Sequence, residues 1–457
     1  MTLTLRKVIF ALTPVGATAT LLWPALWNGF PIVFYDTGGY LARPFTQTLE
    51  LGRSALYGAY LAAGIPLNFW PNIVFQTAVV AWLVTLELRA QGLSDRLMAY
   101  WLVIIGLSGF TSLPWYAAQL MPDVLVPVTV LSLHLLAYND ALLRRWERAT
   151  LVIVVAFAIA SHMTILALAL GLLVMAGLWC IVSFRLGLTA PLLRHAVLAI
   201  TLGLLVSGLS NFWIGGHFGF TPGGMNFLFG RLVQDGVVSL YLADRCPHEA
   251  IALCAYQHEI AAFSTSDWLW DEDSPLYKLG GADSFAPEAQ RIVIATAIDY
   301  PIMHIRTALK AALDQFVSFA TGDGIDPLAW NTHWALERFA PKTFTAFVAA
   351  RQQLEPIDFT VMNAIHVPVG WLAIGGLPLI LFASARRFIP PNSANLAATT
   401  LIALAGNALI CGALSNPHDR YQSRLIPLAL LSIIVAALSY RVPGSETNLG
   451  AARSSIA

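Results

Sequence analysis

Apolar stretches such as LVPVTVLSLHLLAY and LALLSIIVAAL recur along the chain with only short polar turns between them, and they constrain its fold more than any other feature. A helix rises about 1.5 Å per residue, so about 20 apolar residues are needed to cross roughly 30 Å of hydrocarbon. Candidate segments of that kind fall at 8–28, 70–90, 97–114, 119–137, 149–162, 164–183, 195–212, 364–383, 396–413 and 423–440. Several contain Pro or Gly, which a helix inside a bundle tolerates. Charged side chains make up 11% of the 457 residues, against about 25% in a soluble domain. The expectation is therefore an all-α polytopic membrane protein with about ten transmembrane helices.

Lys and Arg (26) balance Asp and Glu (26), so no basic field draws nucleic acid, and no zinc-finger spacing accompanies it. Arg6-Lys7 followed by an apolar run has the form of a signal peptide, but the run continues past Ala17-Thr18-Ala19 to Trp27, which favours an uncleaved first helix. Residues 54–69 are apolar enough to be another crossing. Treating them as a helix on the membrane surface puts Arg6/Lys7, Arg89/Arg96, Arg144/Arg145/Arg148, Arg185/Arg194, Arg386/Arg387 and Arg441 together on the cytoplasmic side. The organisation expected is then an N-terminal transmembrane module, 1–212, with an outer loop at 29–69, a largely helical outer region at 213–362 between helices 7 and 8, and a C-terminal module, 363–457. The segment 285–319 carries apolar residues at helical spacing and predicts one or two amphipathic helices on the membrane surface. Of the four cysteines, Cys180 and Cys411 lie in apolar runs. Cys246 and Cys254 share the polar region, either bridged, if it faces an oxidising periplasm, or as two separate thiols.

This topology sends several polar residues to one outer face. Asp36, in FYDTGGY, is a loop residue, a turn former before Gly38-Gly39, or a general base, with Tyr35 and Tyr40 beside it and glycines that would let a substrate approach the backbone. Asp123 follows Met121-Pro122 where a carboxylate caps a helix start. His162 divides two apolar runs at an expected outer turn, either merely solvated or there to hold a phosphate or shuttle a proton. The segment NPHDRYQSR brings His418, Arg420, Tyr421 and Arg424 to the outer end of the last helix, against the positive-inside tendency. Its arginines either snorkel to headgroups or hold a phosphate through forked donors.

Together these residues resemble the C-type integral-membrane glycosyltransferases (GT-C), which use lipid-phosphate sugars. The likeness rests on a first outer loop with Asp36 and Tyr40, on Arg53-Ser54-Ala55-Leu56-Tyr57, similar to an Arg-x-Pro-x-Tyr element leading into an interfacial helix, on Pro122-Asp123, and on the late Arg420-Tyr421. Thr37 follows Asp36 where the family carries a second acid, and Ala55 replaces its proline. The resemblance implies a GT-C-like fold and transfer of a sugar from a polyprenyl-phosphate donor to a glycan, lipid or protein acceptor at the outer interface of a bacterial inner membrane. It implies Asp36 as catalytic base, Arg420, His418, Arg424 and His162 on the donor phosphate, and Tyr40, Arg53, Tyr57 and Tyr421 on substrate. A divalent metal (Mg or Mn) would sit on Asp36 and Asp123. A transporter or flippase and a non-catalytic envelope assembly subunit are the competing classes. Paired half-repeats and midplane charges, the marks of a transporter, are not evident, and neither GxxxxGK[ST] nor GxSxG occurs.

Overall fold

The computed structural model describes residues 13–48, 51–186, 190–216, 218–220, 223–327 and 330–440. Arg6, Lys7, Arg441, the start of segment 8–28 and the Arg185 side chain lie outside the described residues. Among the described residues the chain is helical throughout, with no strand beyond isolated bridges such as Ile32 with Gln119. Trp70–Ala90, Met163–Phe184, Arg194–Ile214, Thr360–Ala385, Pro391–Leu414 and Asp419–Leu438 are long and apolar enough to cross a bilayer. The pair Gly281–Asp299 and Pro301–Val317, which meet at 102°, would add a seventh if counted as one span. The protein is thus a helical membrane protein of several passes. Proline opens many of these helices, because its missing N–H is one a first turn leaves free anyway.

Segments 97–114, 119–137 and 149–162 form shorter helices, Leu97–Phe110, Pro122–Val124 running into Leu125–Tyr138, and Arg145–Ser161. Residues 54–69 form Ala55–Gly64, a 3-10 turn Ile65–Leu67, and a break at Asn68 and Phe69, both with positive φ. Ten helical residues rise only about 15 Å, half a hydrocarbon core.

Two hydrophobic clusters divide the buried apolar side chains. The larger fills the bundle and takes in Phe319, Ile325, Leu336 and Phe347. The smaller is built from Phe229, Val238, Trp268, Phe285 and Ile292. The region 213–362, one block in the sequence, therefore splits between a body with its own core and a return segment that packs into the bundle. Cys246 and Cys254 are joined by a disulfide, Cα atoms 5.8 Å apart.

Polar contacts mark the two ends of the bundle. At one, Arg89 grips Glu147 through both guanidinium nitrogens (2.9 and 2.5 Å), Arg148 and Arg194 meet Asp140, and Asn392 Nδ2 donates to the Ala90 carbonyl. At the other, Ser54 Oγ donates to Ala160 O, Ser112 Oγ to Ser423 O, and Gln315 Nε2 to His418 O. The loops carrying the polar residues singled out above converge on this second end.

Pro301–Val317 packs closely on Pro391–Leu414 because Gly412 has no side chain: a Cβ there would stand 2.4 Å from the Ala311 carbonyl oxygen. Gly412→Leu is expected to lower stability by about 1–3 kcal/mol through overpacking, read as a drop in thermal midpoint of the detergent-purified protein, whereas Gly109→Leu, where a Cβ meets open space, should leave the midpoint unchanged.

Candidate functional site

Asp36 lies in the first turn of helix Tyr35–Thr46. The helix begins there because Phe34 is extended and Thr37 Oγ1 accepts its N–H (3.0 Å) while donating to Leu120 O (3.1 Å). The expected turn at Gly38-Gly39 is instead helix interior. The close approach those glycines permit is made by the chain itself: Asn331 and Thr332 cross at Gly38, where a Cβ would meet Asn331 O at 2.4 Å, and Thr332 Oγ1 accepts the Gly38 N–H (2.9 Å). The backbone at Gly38 is therefore closed to a substrate.

Arg53 Nη2 donates to Asp36 Oδ1 at 2.5 Å, and Arg420 Nη2 stands 3.6 Å from Asp36 Oδ2. Arg53 also lies over the rings of Tyr40 (5.9 Å) and Trp270 (5.4 Å). Tyr40 and Tyr57 are buried edge to face, 5.2 Å between centroids, and the Tyr57 hydroxyl has no hydrogen-bond partner. Desolvation on burial pushes the Tyr40 phenol above its usual range.

Arg420 is held on several sides. Its guanidinium lies 4.2 Å from the Phe34 ring and 4.9 Å from that of Tyr421, its N–H donates to Asp323 Oδ2 (3.1 Å), and its carbonyl accepts from Tyr116 Oη (3.0 Å). One turn on, Arg424 is fully buried and donates to Asp123 Oδ1 (2.8 Å), Asn407 Oδ1 (3.2 Å) and Thr164 Oγ1 (3.4 Å). His162, at the extended break between Arg145–Ser161 and Met163–Leu186, contacts Thr164 Oγ1 through Nδ1 (2.8 Å) and so joins the network at second hand. His418 turns instead to Asp323, Nδ1 to Oδ2 at 3.5 Å. Arg53 Nε, Arg420 Nη1 and Arg424 Nε are buried donors with no hydrogen-bond partner.

The structure thus brings Asp36, Arg53, Tyr40 and Arg420 into one cluster, links Asp123, Arg424 and His162 in an adjoining one, and joins the two through Tyr421, whose ring lies under both arginines. A small cleft opens at Arg420, bounded by Phe34, Trp115, Tyr116 and Asp323; Asp36 does not line it. The donor set does not suit a divalent cation. Both carboxylates named for one carry a guanidinium, and among the described residues no three His, Cys, Asp or Glu side chains gather as a cage. Forked donors with unfilled N–H groups suit a phosphate better.

Sequence reasoning missed Asp323. The signal for it was Gly322-Asp323-Gly324, where both glycines have positive φ (105° and 73°) and a Cβ at Gly324 would stand 1.9 Å from Phe34. Burial would raise the Asp323 carboxyl, but hydrogen bonds from His418 and the Arg420 amide outweigh it and hold it below the usual range. Searches among protein-family models, curated proteins and solved structures found no match to this chain.

Asp123 and Arg424 stand or fall together. Asp123→Ala leaves a buried guanidinium unpaired and is expected to cost about 3–5 kcal/mol, seen as collapse of folded yield, with Asp123→Ala/Arg424→Met recovering much of it. Asp323, its carboxyl lowered in the folded protein, contributes stability that is present above the ordinary carboxylate range and lost as pH falls through its lowered value. Thermal melts of wild type should therefore fall on acidification by more than those of Asp323→Asn, whose curve lacks this contribution.

Proposed function

We propose that this chain is a GT-C-like transferase of about ten crossings that moves a hexosyl or pentosyl group from a polyprenyl-phosphate donor to an envelope glycan, lipid or protein acceptor on the periplasmic side of a bacterial inner membrane. The observation that carries this reading is the convergence of Arg53 and Arg420 on Asp36, with buried N–H groups on both arginines lacking acceptors. A phosphate monoester or diester fills such donors, and its charge competes with Asp36 for Arg420, held only at 3.6 Å. In this mechanism the acceptor oxygen attacks the anomeric carbon, the bond from that carbon to the phosphate oxygen breaks with its electron pair going to the lipid phosphate, and the acceptor proton passes to Asp36. Arg53 orients the carboxylate. Arg420 stabilises the charge that grows on the leaving phosphate, where fixed donors act most strongly. No step is routed through a metal.

The periplasmic placement draws support from the Cys246–Cys254 bridge, which an oxidising compartment permits, and from the basic residues Arg89, Arg148 and Arg194 gathered at the opposite end of the bundle. A membrane-impermeant thiol reagent should label a cysteine placed near Ser264 in intact cells and fail to label one placed near Leu143, at the exposed Leu142, in a background lacking the native cysteines. The reverse pattern inverts the topology.

Asp36→Asn should lower sugar transfer from a polyprenyl-phosphate donor by roughly 10²–10⁴-fold, the range for a lost general base, with purified yield unchanged. Arg420→Ala should weaken use of that donor, and Arg420→Lys should restore only part, since an ammonium cannot fork. Full activity of Asp36→Asn at wild-type abundance would end the catalytic assignment of Asp36 and reduce the cluster to a structural ion pair.

A further inference from the structure

The helix bundle buries a second pair of ionisable side chains that the proposed chemistry does not use. Glu87, on Trp70–Ala90, and His134, on Leu125–Tyr138, are both fully shielded from solvent, with Glu87 Oε2 3.8 Å from His134 Nε2. That gap is too long for a hydrogen bond, and neither atom has another partner. The rest of each side chain is satisfied. Glu87 Oε1 accepts from Gln91 Nε2 at 2.7 Å. Thr399 Oγ1 spends its one proton on the Asn395 carbonyl (2.8 Å), so its 3.3 Å contact with His134 Nδ1 is made with the imidazole donating. In a neutral imidazole this leaves the lone pair on Nε2, aimed at Glu87 Oε2.

A carboxylate facing an imidazole lone pair would bury a full negative charge among apolar helices with nothing opposite it, at a cost such interiors do not bear. One added proton removes the conflict. It sits either on the carboxyl, as Oε2–H facing Nε2, or on the ring, as Nε2–H facing the carboxylate, and a side-chain shift of about 1 Å closes the 3.8 Å gap to hydrogen-bond distance; in both the pair is neutral overall, and the proton is taken up from solvent. We propose that Glu87 and His134 form a proton-binding site inside the bundle, holding a single proton between them and exchanging it with the bundle end at Gln91.

The surroundings leave this pair to itself. Tyr138 lies tilted against His134, 5.4 Å between ring centroids, Tyr100 donates to Ala81 O, and Cys180 Sγ contacts Pro191 O. Among the described charged groups at this end, Arg89 is paired with Glu147, and Arg148, Arg194 and His195 with Asp140. Towards the Arg420 cluster, the next turn of both helices borders an apolar pocket lined by Leu83, Val84, Leu131 and, farther along, Leu113 and Pro427. Towards the other end, Gln91 is only partly buried and its Oε1 accepts from Ser393 Oγ (2.9 Å). The polar connection therefore runs one way. The inference rests on the bundle alone and is independent of the glycosyltransferase reading.

The test is spectroscopic, on the full-length protein in detergent at neutral pH, without any substrate. Infrared spectra should show a protonated-carboxyl C=O band that disappears in Glu87→Gln, or nitrogen NMR of histidine-labelled protein should show an imidazolium that disappears in His134→Gln. Either finding supports the site. Should both variants fail to fold, the wild-type infrared band and imidazolium resonance, followed over pH, still count the proton. A spectrum with every carboxyl ionised and every imidazole neutral overturns the proposal.

Discussion

The buried pair of Asp123 with Arg424 is the constraint on which the polar end of this protein depends. Both side chains are almost wholly out of water, and a charge in an apolar bundle persists only when paired and hydrogen-bonded. Meeting that demand fixes the start of Leu125–Tyr138 against the start of Ile426–Leu438, and recruits Asn407 and Thr164 from two further helices as acceptors for Arg424 Nη2. Arg420, one turn earlier on the same short helix, is placed as a consequence.

Around this pair the polar end is stitched by side-chain amides as well as by apolar packing. Gln352 holds Val33 through both its amide groups and also reaches the Asp326 carbonyl, and Gln76 donates to the Ala117 and Gln119 carbonyls. Irregular backbone at a membrane surface carries donors and acceptors that no helix satisfies. Long amide side chains reaching out of neighbouring elements supply the missing partners, and the result is a rigid floor beneath Asp36 and Arg420.

Two glycine contacts show where local reading and packing part company. Gly38-Gly39 after Asp36 reads as a turn, because glycine supplies turn geometry and lowers helix propensity. Tertiary packing overrides that preference: the helix Trp330–Phe339 needs a site without a Cβ, and Gly38 provides it. Gly322 and Gly324 are the opposite case, since their positive φ does require glycine and does mark a functional-looking turn around Asp323. Nothing in the local sequence separates the two uses.

That the chain is helical and membrane-spanning is legible in the order of its residues, because run length and charge scarcity act through solvation and need no partner. It also marked most of the polar residues that gather at one end: Asp36, Arg53, Asp123, Arg420 and Arg424 stand out as charges beside apolar helices. Only the tertiary structure decided who pairs with whom. Asp123 belongs to Arg424, far along the chain, and not to Asp36, His418 turns to Asp323, and Glu87 faces His134 from a separate helix. A charge announces its need for a partner in any sequence, but the partner is chosen by which helix faces which, and that choice is made by side-chain shape over the whole bundle.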